Sequence, residues 1–146
     1  MTKIETGTEV MLGRREGRVA VLTFNRPEAR NALHPDTYSA LEHLLPTLAE
    51  DADVGAVMLT GAGGAFCAGG DVKGMNARNS GKAPLPTSLE SAVDNLRARQ
   101  RSVSAALHNF PKVTVAAIDG AAAGAGLSIA LACDLRVGSP RAIFTT

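Results

Sequence analysis

Two glycine-rich stretches hold backbone that can do chemistry. Gly61-Ala-Gly-Gly-Ala-Phe-Cys-Ala-Gly-Gly-Asp71 follows an apolar run at 54–60, and Asp119-Gly-Ala-Ala-Ala-Gly-Ala-Gly126 follows another at 113–118. Glycine-rich chain at the C-terminal end of a buried strand exposes N–H groups where ligands of α/β sheets commonly sit. Asp71 suits the N-cap of a helix starting near Val72, which puts the Gly70 N–H near the positive end of a helix dipole. The second stretch also opens a helix, so two N–H donors can converge on an oxygen that gains negative charge. The competing interpretation is that these glycines only make tight turns and permit close helix packing. A dinucleotide fold is disfavoured: Ile129 stands where the third glycine of such a fingerprint belongs.

Elements of both periodicities must hold these stretches. Residues 10–15 and 18–24 form two β-prone runs around Glu16-Gly17 and predict a hairpin. Pro35 suits a first helical position, and Tyr38, Leu41, Leu44, Leu45 and Leu48 then make an apolar helical stripe, with Pro46 expected to kink or shorten the helix. The runs at 54–60 and 113–118 carry the near-continuous apolar pattern of parallel strands buried on both faces. Between them lies a loop at 76–86 rich in Gly, Pro and Ser. A capping box at Thr87 and Glu90 then starts a helix with the stripe Leu89, Val93, Leu96, Gln100, Val103, Leu107 and Phe110, which Pro111 stops. Residues 124–133 fit a buried helix, and 134–138 and 142–145 short strands. The class is α/β in a single core.

Composition removes several functions. Fifteen basic and 14 acidic residues leave a formal charge of +1 and no basic footprint for nucleic acid. Cys67 and Cys133 lie far apart, the first ten residues are polar, and the apolar stretch 121–133 falls short of the ~20 residues of a membrane span. The expectation is a reduced, cytoplasmic protein with neither membrane nor nucleic-acid partner. No metal-ligand spacing and no Ser/His/Asp arrangement is present.

Three ordered motifs carry a resemblance: Asn25-Arg-Pro-Glu-Ala-Arg-Asn-Ala-Leu33, Ala65-Phe-Cys-Ala-Gly-Gly-Asp71, and Asp119 through Gly124-Ala-Gly-Leu-Ser-Ile-Ala-Leu-Ala-Cys-Asp134. Together they resemble the crotonase family of enoyl-CoA hydratases and isomerases. The resemblance implies a crotonase-like ββα superhelical core, with residues 1–146 as its N-terminal part, and further chain with trimerisation helices beyond Thr146. It places the oxyanion-hole donors on the N–H groups of Gly70 and Ala125, the second position being usually glycine. It places acyl-CoA contacts at Glu28, Ala29, Arg30, Ala68, Asp71 and Val72, with Arg26, Arg30 and Lys73 available to CoA phosphates. CoA would arrive as part of the substrate, no separate cofactor is implied, and a homo-oligomer (trimer or hexamer) is expected. Ser128 occupies the place of one hydratase glutamate, and the second family acid lies beyond Thr146. Isomerisation is therefore favoured over hydration, with an inactive acyl-CoA-binding fragment or pseudoenzyme as the alternative.

Overall fold

The computed structural model describes residues 1–72, 76, 80–81 and 88–146. A six-stranded sheet runs β1 (Thr2–Ile4), β2 (Met11–Glu16), β3 (Val19–Phe24), β4 (Ala56–Gly61), β6 (Val113–Ile118), β8 (Leu135–Gly138) in spatial order. β1, β2 and β3 pair antiparallel, while β3, β4, β6 and β8 are parallel. Glu16 faces Val19 across the hairpin, so the turn is Gly17-Arg18, one residue later than the sequence suggested. β1 was not anticipated: Thr2 and Lys3 are exposed and only Ile4 packs on the core, too few residues to show the alternation of a half-buried strand.

A second sheet of three short parallel strands, β5 (Ala65–Cys67), β7 (Ala121–Ala123) and β9 (Ile143–Thr145), lies within and beyond the two glycine-rich stretches. Sequence patterning expected loops at β5 and β7, because three residues are too few to show a period.

Helix α1 (Pro35–Glu50) starts at His34, whose Nδ1 accepts from the Asp36 N–H. It is not shortened at Pro46, which lies inside it. Pro46 lies on the exposed side, while Leu41, Leu44, Leu45 and Leu48 are buried against the sheet. Each such leucine contributes about 1.5–3 kcal/mol when fully buried, so together they outweigh the proline penalty of ~3 kcal/mol.

Helix α2 (Leu89–Gln100) is capped one residue later than expected: Ser88 and Ser91 exchange the reciprocal bonds of a capping box. Thr87 lies outside the described residues. The helix continues through a wide π-type turn (Arg101–Ala105) to His108. Only the far end of its stripe is buried: Val103 and Leu107 are core, whereas Leu89, Val93 and Leu96 are exposed.

The main core joins Leu22 and Phe24 of β3, Val57 and Leu59 of β4, and Ala116 and Ile118 of β6 to the leucines of α1 and to Val103 and Leu107. Along β4 and β6 burial alternates, so the sheet is packed on one face and half-covered on the other, not buried on both. Helix α3 (Ala125–Ala132) is likewise half-buried: Gly126, Ile129 and Ala130 face inward and Leu131 faces out.

Candidate functional site

The first motif becomes a 3-10 turn (Pro27–Ala29) followed by two left-handed residues, Arg30 at φ 49° and Asn31 at φ 58°. Asparagine tolerates that conformation better than most residues. Buried Asn31 then fastens the region: its Nδ2 donates to the carbonyls of Ala62 and Ala65, each at 2.8 Å, and its Oδ1 accepts from the Arg26 N–H. Sequence reasoning quoted Asn31 in a motif without giving it a role, and only the fold shows that it clamps the first glycine turn.

That turn lies directly beside the 3-10 turn. Ala68 donates to the Arg30 carbonyl at 3.0 Å, and Leu33 donates to the Gly69 carbonyl at 2.8 Å. Leu33 and Gly70 thus form a parallel bridge in which Gly70's own N–H takes no part, because successive groups of an extended chain point to opposite sides. Ala29, Arg30, Ala68, Gly70, Asp71 and Val72 are brought together here, with Glu28 and Val72 exposed. Arg26 has another employment than the phosphate role expected of it. Its guanidinium donates to Asp71 Oδ2 at 3.1 Å and to the Ala32 carbonyl at 2.9 Å, with both charged side chains about four-fifths buried. The pair clips the motif to the residue that follows Gly70. Arg30 is exposed, and Lys73 lies outside the described residues.

The second glycine turn is carried to the first by the pairing of β5 with β7, Ala65 opposite Ala121 and Cys67 opposite Ala122. Glycine is required at the seam. A Cβ at Gly69, whose φ is +86°, would fall 2.7 Å from the Ala123 carbonyl oxygen and 3.2 Å from the Ala125 nitrogen, and one at Gly126 would overlap the Cys67 carbonyl. The backbone of Gly69-Gly70 therefore abuts that of Ala123 to Ala125. Gly124 takes the unusual φ of 49° and donates to the Thr145 carbonyl of β9 at 3.1 Å. Ala125, next along, is not among the positive-φ residues, so its methyl group needs no distortion. As the first residue of α3 its N–H has no partner within the helix.

Beside Ala125, between α2 and α3, is a cavity of about 110 Å³. Leu33, Val103 and Ile129 form its buried apolar wall, and Tyr38, Arg99, Gln100, Ser104 and Ser128 its polar side. Ser128 Oγ donates back to the Gly124 carbonyl at 3.3 Å. Arg99 Cζ sits 5.3 Å above the centre of the Tyr38 ring. Burial raises the Tyr38 hydroxyl above the usual tyrosine value, with Arg99 opposing, so the phenol stays a neutral donor. Burial likewise pushes the Cys67 thiol up to about 11 despite the Gly69 N–H beside its sulfur. No Asp, Glu or His lines this cavity among the described residues, and none of their acidic, His and Cys side chains cluster as a metal site. A larger open cleft of about 710 Å³ separates β1 from α1, but no residue of either glycine turn is in its walls.

The sequence profile of the enoyl-CoA hydratase/isomerase family matches residues 14–146. The chain belongs to this family, that of the crotonases. It is 37% identical to a short-chain-enoyl-CoA hydratase of Clostridium acetobutylicum over 131 residues, covering 89% of this chain and 46% of that protein. It is 35% identical to a 1,2-epoxyphenylacetyl-CoA isomerase of Escherichia coli over 137 residues, covering 93% and 50% respectively. A crystal structure of an enoyl-CoA hydratase/isomerase from Marinobacter aquaeolei superposes with a TM-score of 0.81 at 30% identity, covering 94% of this chain and 51% of that one. The crotonase-like α/β fold expected from the motifs is thereby shown. The chain spans about half the length of these relatives. Both a hydratase and an isomerase are among them, so kinship alone does not select the reaction. No helix among the described residues is long and apolar enough to cross a membrane.

Proposed function

We propose that this chain holds an acyl-CoA thioester with its carbonyl oxygen between the N–H groups of Gly70 and Ala125, and stabilises the enolate formed when a proton leaves C2. The observation that carries this reading is the contact of the two glycine turns across β5 and β7, with Gly69 against the Ala125 nitrogen. Neutral donors fixed before the reaction cost no reorganisation as charge develops, and each lowers the barrier by about 3 kcal/mol. Glu28, Ala29, Arg30, Ala68, Asp71 and Val72 border the path for CoA, which enters as part of the substrate and not as a resident cofactor.

The reaction of the whole protein is isomerisation in preference to hydration. Moving a double bond from C3–C4 to C2–C3 needs one base, which takes a proton from C2 and returns it to C4 through the enolate. Adding water requires two groups, one to activate the water and one to protonate C2. Ser128 supplies neither, its hydroxyl being turned back to Gly124. The base is a carboxylate from outside the cavity lining described here. Because no acid among the described residues lines that cavity, a second reading is binding without turnover.

The working unit is a cytoplasmic homo-oligomer, a trimer or hexamer. The apolar side chains of Leu135, Val137, Ile143 and Phe144, exposed on β8 and β9, are surface that an assembly would cover. Titration calorimetry with acetoacetyl-CoA and free CoA tests the hole: the thioester binds more tightly, and Gly70→Pro, which removes one donor, abolishes the difference. Equal affinities in the wild type overturn it. Assays of the whole protein on 3-enoyl-CoA and on crotonyl-CoA, repeated with Ser128→Glu, test the reaction. Efficient hydration by the wild type without isomerisation sinks the single-base assignment and leaves the hole standing.

A further inference from the structure

We propose that the acyl pocket takes a short acyl group ending in a carboxylate, bound by the guanidinium of Arg99, so that the substrate is a dicarboxylic acid held as its CoA monothioester. This rests on the acyl-CoA reading above and specifies the class of acyl group.

A pocket for a plain hydrocarbon tail has no use for a cation. This cavity has a dry wall at Leu33, Val103 and Ile129, yet its opposite side presents Arg99 with the polar side chains of Tyr38, Gln100 and Ser104. Arg99 is drawn there by a cation–π contact, its Cζ 5.3 Å from the centre of the Tyr38 ring, which reduces the freedom lost on binding. Its charge is not spent within the described residues: Arg97, two positions earlier on α2, pairs with Asp94 at 3.7 Å, whereas no described carboxylate lies within ion-pair distance of Arg99. Among the described residues of the cavity lining, Arg99 is the only charged side chain. A guanidinium fork matches a carboxylate in bidentate geometry.

Size limits the rest of the acyl group. The cavity is compact, at about 110 Å³. Ala125 and Ser128 border the same cavity, so a chain whose thioester carbonyl lies at the Ala125 N–H needs only a few carbons to bring its far end to Arg99. Glutaryl-CoA is the natural probe, and valeryl-CoA is the uncharged probe of equal chain length.

The experiment is titration calorimetry of the chain with glutaryl-CoA, valeryl-CoA and free CoA, on the wild type, Arg99→Gln and Arg99→Lys. Arg99 is exposed, so these substitutions leave the core intact, and thermal melting verifies that each variant folds. The expected result is glutaryl-CoA bound about two- to fivefold tighter than valeryl-CoA, the scale of one ion pair at an exposed guanidinium. That gap closes in Arg99→Gln, persists in part in Arg99→Lys, and leaves valeryl-CoA affinity unchanged. Equal binding of the two thioesters by the wild type overturns the proposal while leaving the acyl-CoA reading intact, and so does a glutaryl preference that survives Arg99→Gln. If neither thioester binds better than free CoA, the acyl-CoA reading fails and this inference fails with it.

Discussion

Gly69→Ala is the sharpest perturbation of the site, because it adds one methyl group between the two turns, 3.2 Å from the Ala125 nitrogen, while removing no donor. At φ +86° an alanine is strained whatever the space, by about 1–2 kcal/mol. The methyl carbon would also stand 2.7 Å from the Ala123 carbonyl oxygen, and both atoms belong to backbone that cannot swing away. Ordinary contact starts at 3.4 Å, so the turns must part by about 0.7 Å, and overpacking of that kind costs a further ~1–3 kcal/mol. A functional constellation tolerates only about 0.5 Å; displacing one donor of the pair should therefore lower turnover of the whole protein about 10²–10³-fold. Gly7→Ala is the control: its φ of +72° carries similar strain, but nothing lies within 4 Å of the added carbon. Thermal melting of both variants separates strain from crowding, Gly69→Ala falling further by several degrees at about 3 °C per kcal/mol. Calorimetry then reads the preference for acetoacetyl-CoA over CoA, which Gly7→Ala keeps and Gly69→Ala loses. A folded Gly69→Ala protein with wild-type thioester preference and turnover refutes the claim that the spacing of these turns makes the site.

Arg26→Met should destabilise the chain by about 1–3 kcal/mol, read as a lower melting temperature, since it takes a charged donor from Asp71 and from the Ala32 carbonyl in a largely buried setting. An unchanged melting temperature would make that clip unimportant. Stability should also fall in acid through Asp119 and Asp134. Asp119 is held below the ordinary carboxylate range mainly by Arg141 and then Ser139, and Asp134 by the N–H and hydroxyl of Thr114. A depressed folded pKa gives stability that is complete above the unfolded value, near 3.9, and is lost as pH falls through the folded one. Denaturant titrations from pH 5 to pH 2 should show this loss, and Asp119→Asn should flatten it; identical acid limbs for wild type and variant would remove Asp119 from the account.

Periodicity was enough for the elements that bury a long face. The helix at Pro35–Glu50 was legible because its leucines recur at helical spacing from Leu41 to Leu48, about two turns, and the strands Ala56–Gly61 and Val113–Ile118 because their apolar runs are long enough to stand out. Motif order named Gly70 and Ala125 as candidates, because glycine-rich turns are a local property of the chain. Sequence patterning failed where pairing supplies the order. Ala65–Cys67 and Ala121–Ala123 are too short to have a period and become strands only against each other, and that pairing is what brings the two glycine turns into contact. Competition between distant groups decided the rest. Pro46 stays helical because the leucines around it are buried, and Arg26 is drawn to Asp71, 45 residues away, although in the linear chain it looks like any exposed cation. Arg99 reads as surface on a helical wheel and acquires a direction only from Tyr38, which the fold of α1 against the end of α2 places beneath it. Local spacing determines which groups a chain possesses, whereas their distances and their partners are properties of the packed whole.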